Sequence, residues 1–218
     1  MTLLAAPAPL PTAALPDRGT AAMTAALMQS RQTILPKRLA APGPDSHQLG
    51  MILQAAATAP DHGELLPWRC VQVAQAARAR LAEVFGTALI ERDAAATPLQ
   101  VAQACEKAYR SPLLLLVTVD GLRGDPEIDL FERIISAGCA VQNMLLMATA
   151  LGYGSALTSG KALKSAPLRT LFGLAPAEHA LCFISIGTAL SRKAARLRPL
   201  PADFVSTLLE DGHLVDGF

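Results

Sequence analysis

Apolar positions recur along this chain at two spacings, and the switches between them mark its elements. Thr24 reads as an N-cap, with AALMQSRQ continuing as helix. LPKRLAAPGP, punctuated by proline, reads as loop. Asp45 then caps a second helix, with Gln48 three residues on as its capping-box partner. Leu49, Ile52, Leu53 and Ala56 give that helix one apolar stripe, and Pro60 lies beyond its end. After the loop DHGELLP, Trp68 opens a short strand in which Val71 and Val73 share a face. Residues 76–90 and 98–109 read as amphipathic helices, the second broken at Ser111-Pro112.

Leu113 to Val119 is a continuous apolar run between Pro112 and Gly121, which predicts a buried central strand. GLRGDPE reads as a turn. From about Glu127 to Leu151 the chain is helical and apolar nearly all round, with Ala137, Gly138, Ala140 and Ala148 as small residues. Such a helix belongs in the middle of a fold or at a subunit seam. Gly152 and Gly154 end it. Residues 155–158 suggest a strand, 164–172 a short helix and 180–187 another buried strand. About four strands among six helices result, and their alternation suggests a parallel α/β sheet, although pattern alone does not fix strand direction.

Length and composition narrow this picture. A chain of 218 residues suits one domain, expected over 20–218, behind a disordered Ala/Pro-rich lead-in at 1–19. Hydrophobic residues make up 51% and charged residues 17%, so some apolar surface is expected in a partner interface. A net charge of +1 gives no electrostatic case for nucleic acid or an anionic membrane. The basic residues are dispersed, densest at Arg192, Lys193, Arg196 and Arg198. Cys70, Cys105, Cys139 and Cys182 lack zinc or redox spacing and read as reduced structural thiols, which suits the cytoplasm. No stretch is long and apolar enough to span a membrane, and the N-terminus lacks a basic n-region.

Few polar residues stand out as chemistry. His62 in APDHGELLPW invites a metal or acid–base reading, but no second histidine lies nearby, and a hydrogen-bonded loop histidine is the plainer alternative. Arg31 is either a solvated charge or an anion ligand, since guanidinium fits phosphate bidentately. The GxG at Gly152–Gly154 lacks the rest of a dinucleotide fingerprint and follows a helix. Thr158-Ser159-Gly160-Lys161 is either a turn or a donor of N–H groups and hydroxyls to a phosphate or ring. No nucleophile elbow, zincin, Walker or paired-carboxylate motif is present.

The order of these segments is more telling than any one of them. A basic residue after the first helix, then APDHGELLPW, then SAGCAVQNMLLMATALGYGSALTSG, then FISIGTAL, resembles the flavin-dependent nitroreductase family, in its short, single-domain NAD(P)H nitroreductase branch. The likeness covers roughly residues 24–190. It implies an α+β fold, with a mostly antiparallel sheet packed between helices and two subunits interlocked as a homodimer. It also implies FMN at the dimer seam, with NADH or NADPH as hydride donor. Hydride then passes to an electron-poor acceptor, such as a nitroaromatic or quinone, in a ping-pong cycle.

By position, the resemblance places the cofactor phosphate at Ser30, Arg31 and Gln32. It places flavin contacts at His62 and, from the other chain, at Thr58. Leu157, Thr158 and Ser159 fall beside the ring and phosphate, and Met147, Ala148, Thr149, Ala150, Leu151 and Gly152 fall in a nicotinamide-nucleotide stretch. No metal and no catalytic side chain is implied. Relatives often carry an arginine where this chain has Ser30 and Thr58, and a tryptophan and an arginine at Leu157 and Thr158. Lys37, Arg38 and the pair Arg192-Lys193 are the basic groups available to compensate. Alternatives are a non-catalytic flavin-binding or degenerate dimer, or another family chemistry such as dehalogenation or flavin breakdown.

Overall fold

The computed structural model of the chain describes residues 18–192, 194 and 196–217. In chain order its elements are α1 (Arg18–Ser30), β1 (Leu39–Ala40), α2 (Ser46–Ala56), β2 (Trp68–Gln72), α3 (Arg78–Arg92) and α4 (Pro98–Glu106). There follow β3 (Leu113–Asp120), α5 (Leu130–Ala150), β4 (Gly154–Thr158), α6 (Ala166–Leu171), β5 (Glu178–Ala189), β6 (Ser206–Leu208) and β7 (Leu214–Asp216).

Local chemistry explains several boundaries. Asp45 Oδ1 accepts from the Gln48 N–H at 2.8 Å while Gln48 Oε1 accepts from the Asp45 N–H at 3.1 Å, so the capping box opens α2. Thr97 and Gln100 repeat the device at α4, with Pro98 at the first helical position. Asp129 Oδ1 accepts from the Phe131 N–H at 2.6 Å and starts α5. Thr24 is not a cap. The helix already begins at Arg18, and Thr24 Oγ1 donates back to the Thr20 carbonyl at 2.8 Å within it. Of the lead-in expected at 1–19, residues 1–17 lie outside the described residues, and Arg18 and Gly19 open α1.

The main sheet runs β1-β5-β3-β2, with β4 also on β5, and every pairing of its strands is antiparallel. The parallel sheet suggested by alternation is therefore corrected. Each strand's direction is set by its partner, and β5 returns alongside β3 in register Leu113↔Ile186. One isolated parallel bridge, Thr33↔Ser155, lies at the margin.

Strand β3 is buried on both faces, so its side chains feed two cores. Leu113, Leu115 and Val117 join Cys182, Ile184 and Ile186 against Ile52 and Ala56 of α2 and Ala140, Met144 and Ala148 of α5. Leu114, Leu116 and Phe183 face the other way, against Leu81 and Ala82 of α3 and Leu168 of α6. Three layers result: the α2–α5 pair, the sheet, and a layer built on α3 and α6. Two buried arginines hold its corners by donating to backbone carbonyls. Arg78 bonds Val73 at 3.0 Å and Ala108 at 2.7 Å, and Arg133 bonds Ile128 at 2.9 Å and Arg123 at 2.6 Å.

Candidate functional site

The segment after α1 decides where a ligand can lie. It is laid parallel to β4 by the Thr33↔Ser155 bridge, and the Ile34 N–H donates to the Ser155 carbonyl at 2.9 Å. Gly154 permits this approach: a Cβ there would lie 2.8 Å from Leu39 Cδ2 and 3.1 Å from Ile34 Cγ1. Two polar atoms are buried at the seam without a partner, Gln32 Oε1 and Ser155 Oγ. Buried polar atoms normally find partners, so an orphaned pair on one seam marks a place where a ligand can complete them.

At one end of the seam the groups are cationic. The Arg31 carbonyl accepts from Arg198 Nη2 at 2.9 Å, and the Gly152 carbonyl accepts from Arg192 Nη2 at 3.1 Å. The Arg31 guanidinium makes no hydrogen bond or ion pair among the described residues, which leaves it free for an anion. Ser30 ends α1 with its Oγ donating to the Leu27 carbonyl at 2.8 Å. Lys193 lies outside the described residues.

At the other end lies a cavity of about 870 Å³. Leu35 and Pro36 from the same segment and Thr158, Ser159 and Gly160 at the end of β4 line it, together with Phe85 and Phe183. The two phenyl rings meet edge to face, centroids 5.7 Å apart. The volume is in the range of small-molecule and cofactor sites, about 300–1,000 Å³. Leu157 is 45% exposed on the opposite face of β4 from Thr158.

The remaining sequence-derived residues fall elsewhere. Thr58, just past α2, has its Oγ1 donating to the Ala55 carbonyl at 2.8 Å and accepting from Asn143 Nδ2 of α5 at 3.0 Å. His62 Nδ1 donates to Glu132 Oε2, also of α5, at 2.7 Å. Both therefore sit on the α2–α5 layer, across the sheet from the cavity. From Met147 to Gly152 the chain finishes α5. Ala148 is fully buried in the α2–α5 core and offers a ligand no surface, Met147 and Leu151 pack beside it, and Thr149 Oγ1 donates to the Leu145 carbonyl at 2.8 Å. Ala150 and Gly152 are exposed, and Gly152 turns the chain at φ +86°.

The cavity's far wall lies on α3 and α4, where ordinary amphipathic pattern singles out no individual lining residue. Arg198 was legible only as one of a basic group. All four cysteines are free, and burial pushes Cys70 up to about 11 and Cys182 up to about 12, so neither is a ready thiolate. Among the described residues no cluster of three or more His, Cys, Asp or Glu is placed to hold a metal, and no helix is long and apolar enough to cross a membrane.

The sequence and fold have known counterparts. The family model described as "Nitroreductase family" matches residues 29–188. A Haemophilus influenzae protein named "Putative NAD(P)H nitroreductase" is 31% identical over 176 residues, covering 79% of this chain and 93% of its own. The Escherichia coli K12 protein "Putative NAD(P)H nitroreductase YdjA" is 31% identical over 170 residues, 78% of this chain and 91% of its own. In solved structures, a nitroreductase-like family protein from Bacillus cereus superposes with a TM-score of 0.73 at 18% identity, covering 85% of this chain and 95% of that one. The NADPH:FMN oxidoreductase of Vibrio harveyi, complexed with NAD+, gives 0.61 at 17% identity, covering 83% and 74%. With a family model matched over most of its length and relatives above 30% identity along nearly their whole chains, this protein belongs to the nitroreductase family.

Proposed function

We propose that the chain is a cytoplasmic, homodimeric FMN-dependent oxidoreductase. It would carry hydride from NADH or NADPH to an electron-poor acceptor such as a nitroaromatic or quinone. The observation that carries this reading is the seam along β4, with an unengaged guanidinium and orphaned polar atoms at one end and a cofactor-sized cavity at the other. The names of the relatives and of the Vibrio harveyi structure support it.

The residues present fit FMN. Arg31, with Arg192 and Arg198 close by, would hold the phosphate. Gln32 Oε1 and Ser155 Oγ would take hydroxyl partners, and Thr158, Ser159 and Gly160 would border the ring. Bound FMN would supply the two-electron relay between donor and acceptor, in a ping-pong cycle. The chain's own task is then to bind, orient and exclude water. The apolar wall of Phe85, Leu89 and Leu163 serves the last of these. No side chain is required as acid or base, in keeping with the absence of any catalytic motif.

The placement of two residues supports the dimer. Thr58 and His62 lie on the opposite layer from the cavity, so within one chain they cannot reach a ligand in it. A second chain can bring its own copies there. The same layer exposes Phe131 (74%) and Ile135 (64%), one turn apart on α5, and an apolar stripe of that kind is best covered by a partner. The absence of arginine at Ser30, Thr58 and Thr158 favours one other reading, a flavin-binding dimer without turnover. Mass spectrometry of flavin released from the purified protein, with sedimentation, tests the proposal. It predicts FMN at one per chain on a dimer, and a flavin-loaded monomer would contradict it.

A further inference from the structure

The cavity at the end of β4 carries a charge pattern that the flavin reading does not use. Arg92, Lys107, Arg110 and Lys161 all line it, against the single acid Asp93. The whole chain has a net charge of only +1, so this is a local concentration of positive charge. The four come from three places: Arg92 ends α3, Lys107 and Arg110 follow α4, and Lys161 follows β4. Arg92, Lys107 and Lys161 are exposed, whereas Leu114, Leu163 and Phe183 behind them are at most 6% exposed. The cavity is thus apolar and aromatic inside and cationic at its mouth.

Most of these cations lack internal partners. Arg110 Nη2 is paired with Glu106 at 2.7 Å, but its Nε is buried without an acceptor. Arg92, Lys107 and Lys161 take part in no ion pair among the described residues. Like charges gathered around a low-dielectric cavity focus their field on an incoming anion.

The FMN phosphate is not that anion in the reading above, because its cations sit at the other end of β4, beside Arg31 and Gly152. Gly154 to Thr158 separates the ends by four residue steps, roughly 13 Å of strand. We propose that the cavity takes a small aromatic acid as the electron acceptor, its ring against Phe85 and Phe183 and its carboxylate among Arg92, Lys107, Arg110 and Lys161. This rests on the flavin reading for the word acceptor, but the binding preference itself does not.

The test compares para-nitrobenzoate with para-nitrobenzamide, which share a ring and differ in charge. Binding of each to the purified flavin-loaded protein is measured by calorimetry, at low and high salt. The acid should bind at least tenfold more tightly, and salt should weaken the acid alone. In Arg92→Gln/Lys107→Gln/Lys161→Gln the preference should fall to within about threefold. These three side chains are exposed, so an unchanged melting temperature is expected and is checked. Equal binding of the two compounds, or a preference that survives the triple substitution, would overturn the inference. So would a triple variant that loses affinity for FMN or NADPH and keeps it for the acid, since the cations would then serve a cofactor phosphate. No turnover is needed. A protein that prefers the acid yet never oxidises NAD(P)H would keep this binding site and lose the proposed activity, and the reverse result would do the opposite.

Discussion

Arg198 reaches back across 167 residues of sequence to donate from Nη2 to the Arg31 carbonyl at 2.9 Å. The contact ties the C-terminal stretch to the segment expected to hold the cofactor phosphate, and it uses the Arg31 carbonyl and not its guanidinium. Arg31→Ala should therefore lower FMN affinity by about 1.5–3 kcal/mol, a tenfold to hundredfold change. Arg31→Lys should recover part of it, because an ammonium cannot make the bidentate contact. Riboflavin, which lacks the phosphate, should bind the wild type and Arg31→Ala alike. Equal losses for riboflavin and FMN would mean that Arg31 acts through folding.

His62 gives the complementary signature. Its imidazole is oriented by Glu132 at 2.7 Å, and the reading has it meet the ring rather than the phosphate. His62→Ala should weaken FMN and riboflavin by the same amount, about 0.5–1.5 kcal/mol. Titration of apoprotein with each flavin reads this directly, and a loss confined to FMN would move His62 to the phosphate.

Gly154 is where the seam depends on a missing side chain. In Gly154→Ala the new Cβ would meet Leu39 Cδ2 at 2.8 Å, Ala189 Cβ at 3.0 Å and Ile34 Cγ1 at 3.1 Å. Overpacking should cost about 1–3 kcal/mol in denaturant unfolding and displace the segment carrying Arg31. The variant should lose flavin at a denaturant concentration where the wild type still holds it.

Much of this was legible in the sequence, and the exceptions have physical causes. The capping box at Asp45 and Gln48 is a local device and could be read locally. The run Leu113–Val119 announced a strand buried on both faces. Strand direction was not legible from pattern, since it is a property of pairs; the family resemblance supplied it. Strand β1 is two residues long, too short to show alternation. The burial of Arg78 and Arg133, each 1% exposed, has no local sequence signal, because their partners are carbonyls that only the folded chain assembles. The seam itself joins residue 33 to residue 155, and no local pattern announces it.

A pH dependence of stability is expected at the rim of the sheet. Glu178 accepts from Arg69 Nε at 2.7 Å and Nη2 at 3.1 Å, and from the Ala175 N–H at 3.0 Å. The Arg69 guanidinium, foremost, holds the Glu178 carboxyl below its ordinary 4.5, against burial that pushes it up. The folded-state value lies below the unfolded one. The contribution is therefore full above about pH 4.5 and is lost as pH falls through the folded value. Glu178→Gln should destabilise at neutral pH by about 1.5–3 kcal/mol. Its stability should also fall less steeply than the wild type's below about pH 4.5. Parallel pH profiles for the two proteins would contradict this.

The central claim is that this chain relays hydride through a bound flavin, and anaerobic reduction tests it most directly. Purified holoprotein is mixed with NADH or NADPH without oxygen, and the flavin absorbance is followed, first alone and then after a nitroaromatic or quinone is added. The account predicts that one or both donors bleach the flavin and that the acceptor restores the colour with the donor already consumed, the two half-reactions of a ping-pong cycle. Flavin that stays oxidised under excess NADH and NADPH would contradict it and leave a dimer that binds the cofactor without using it.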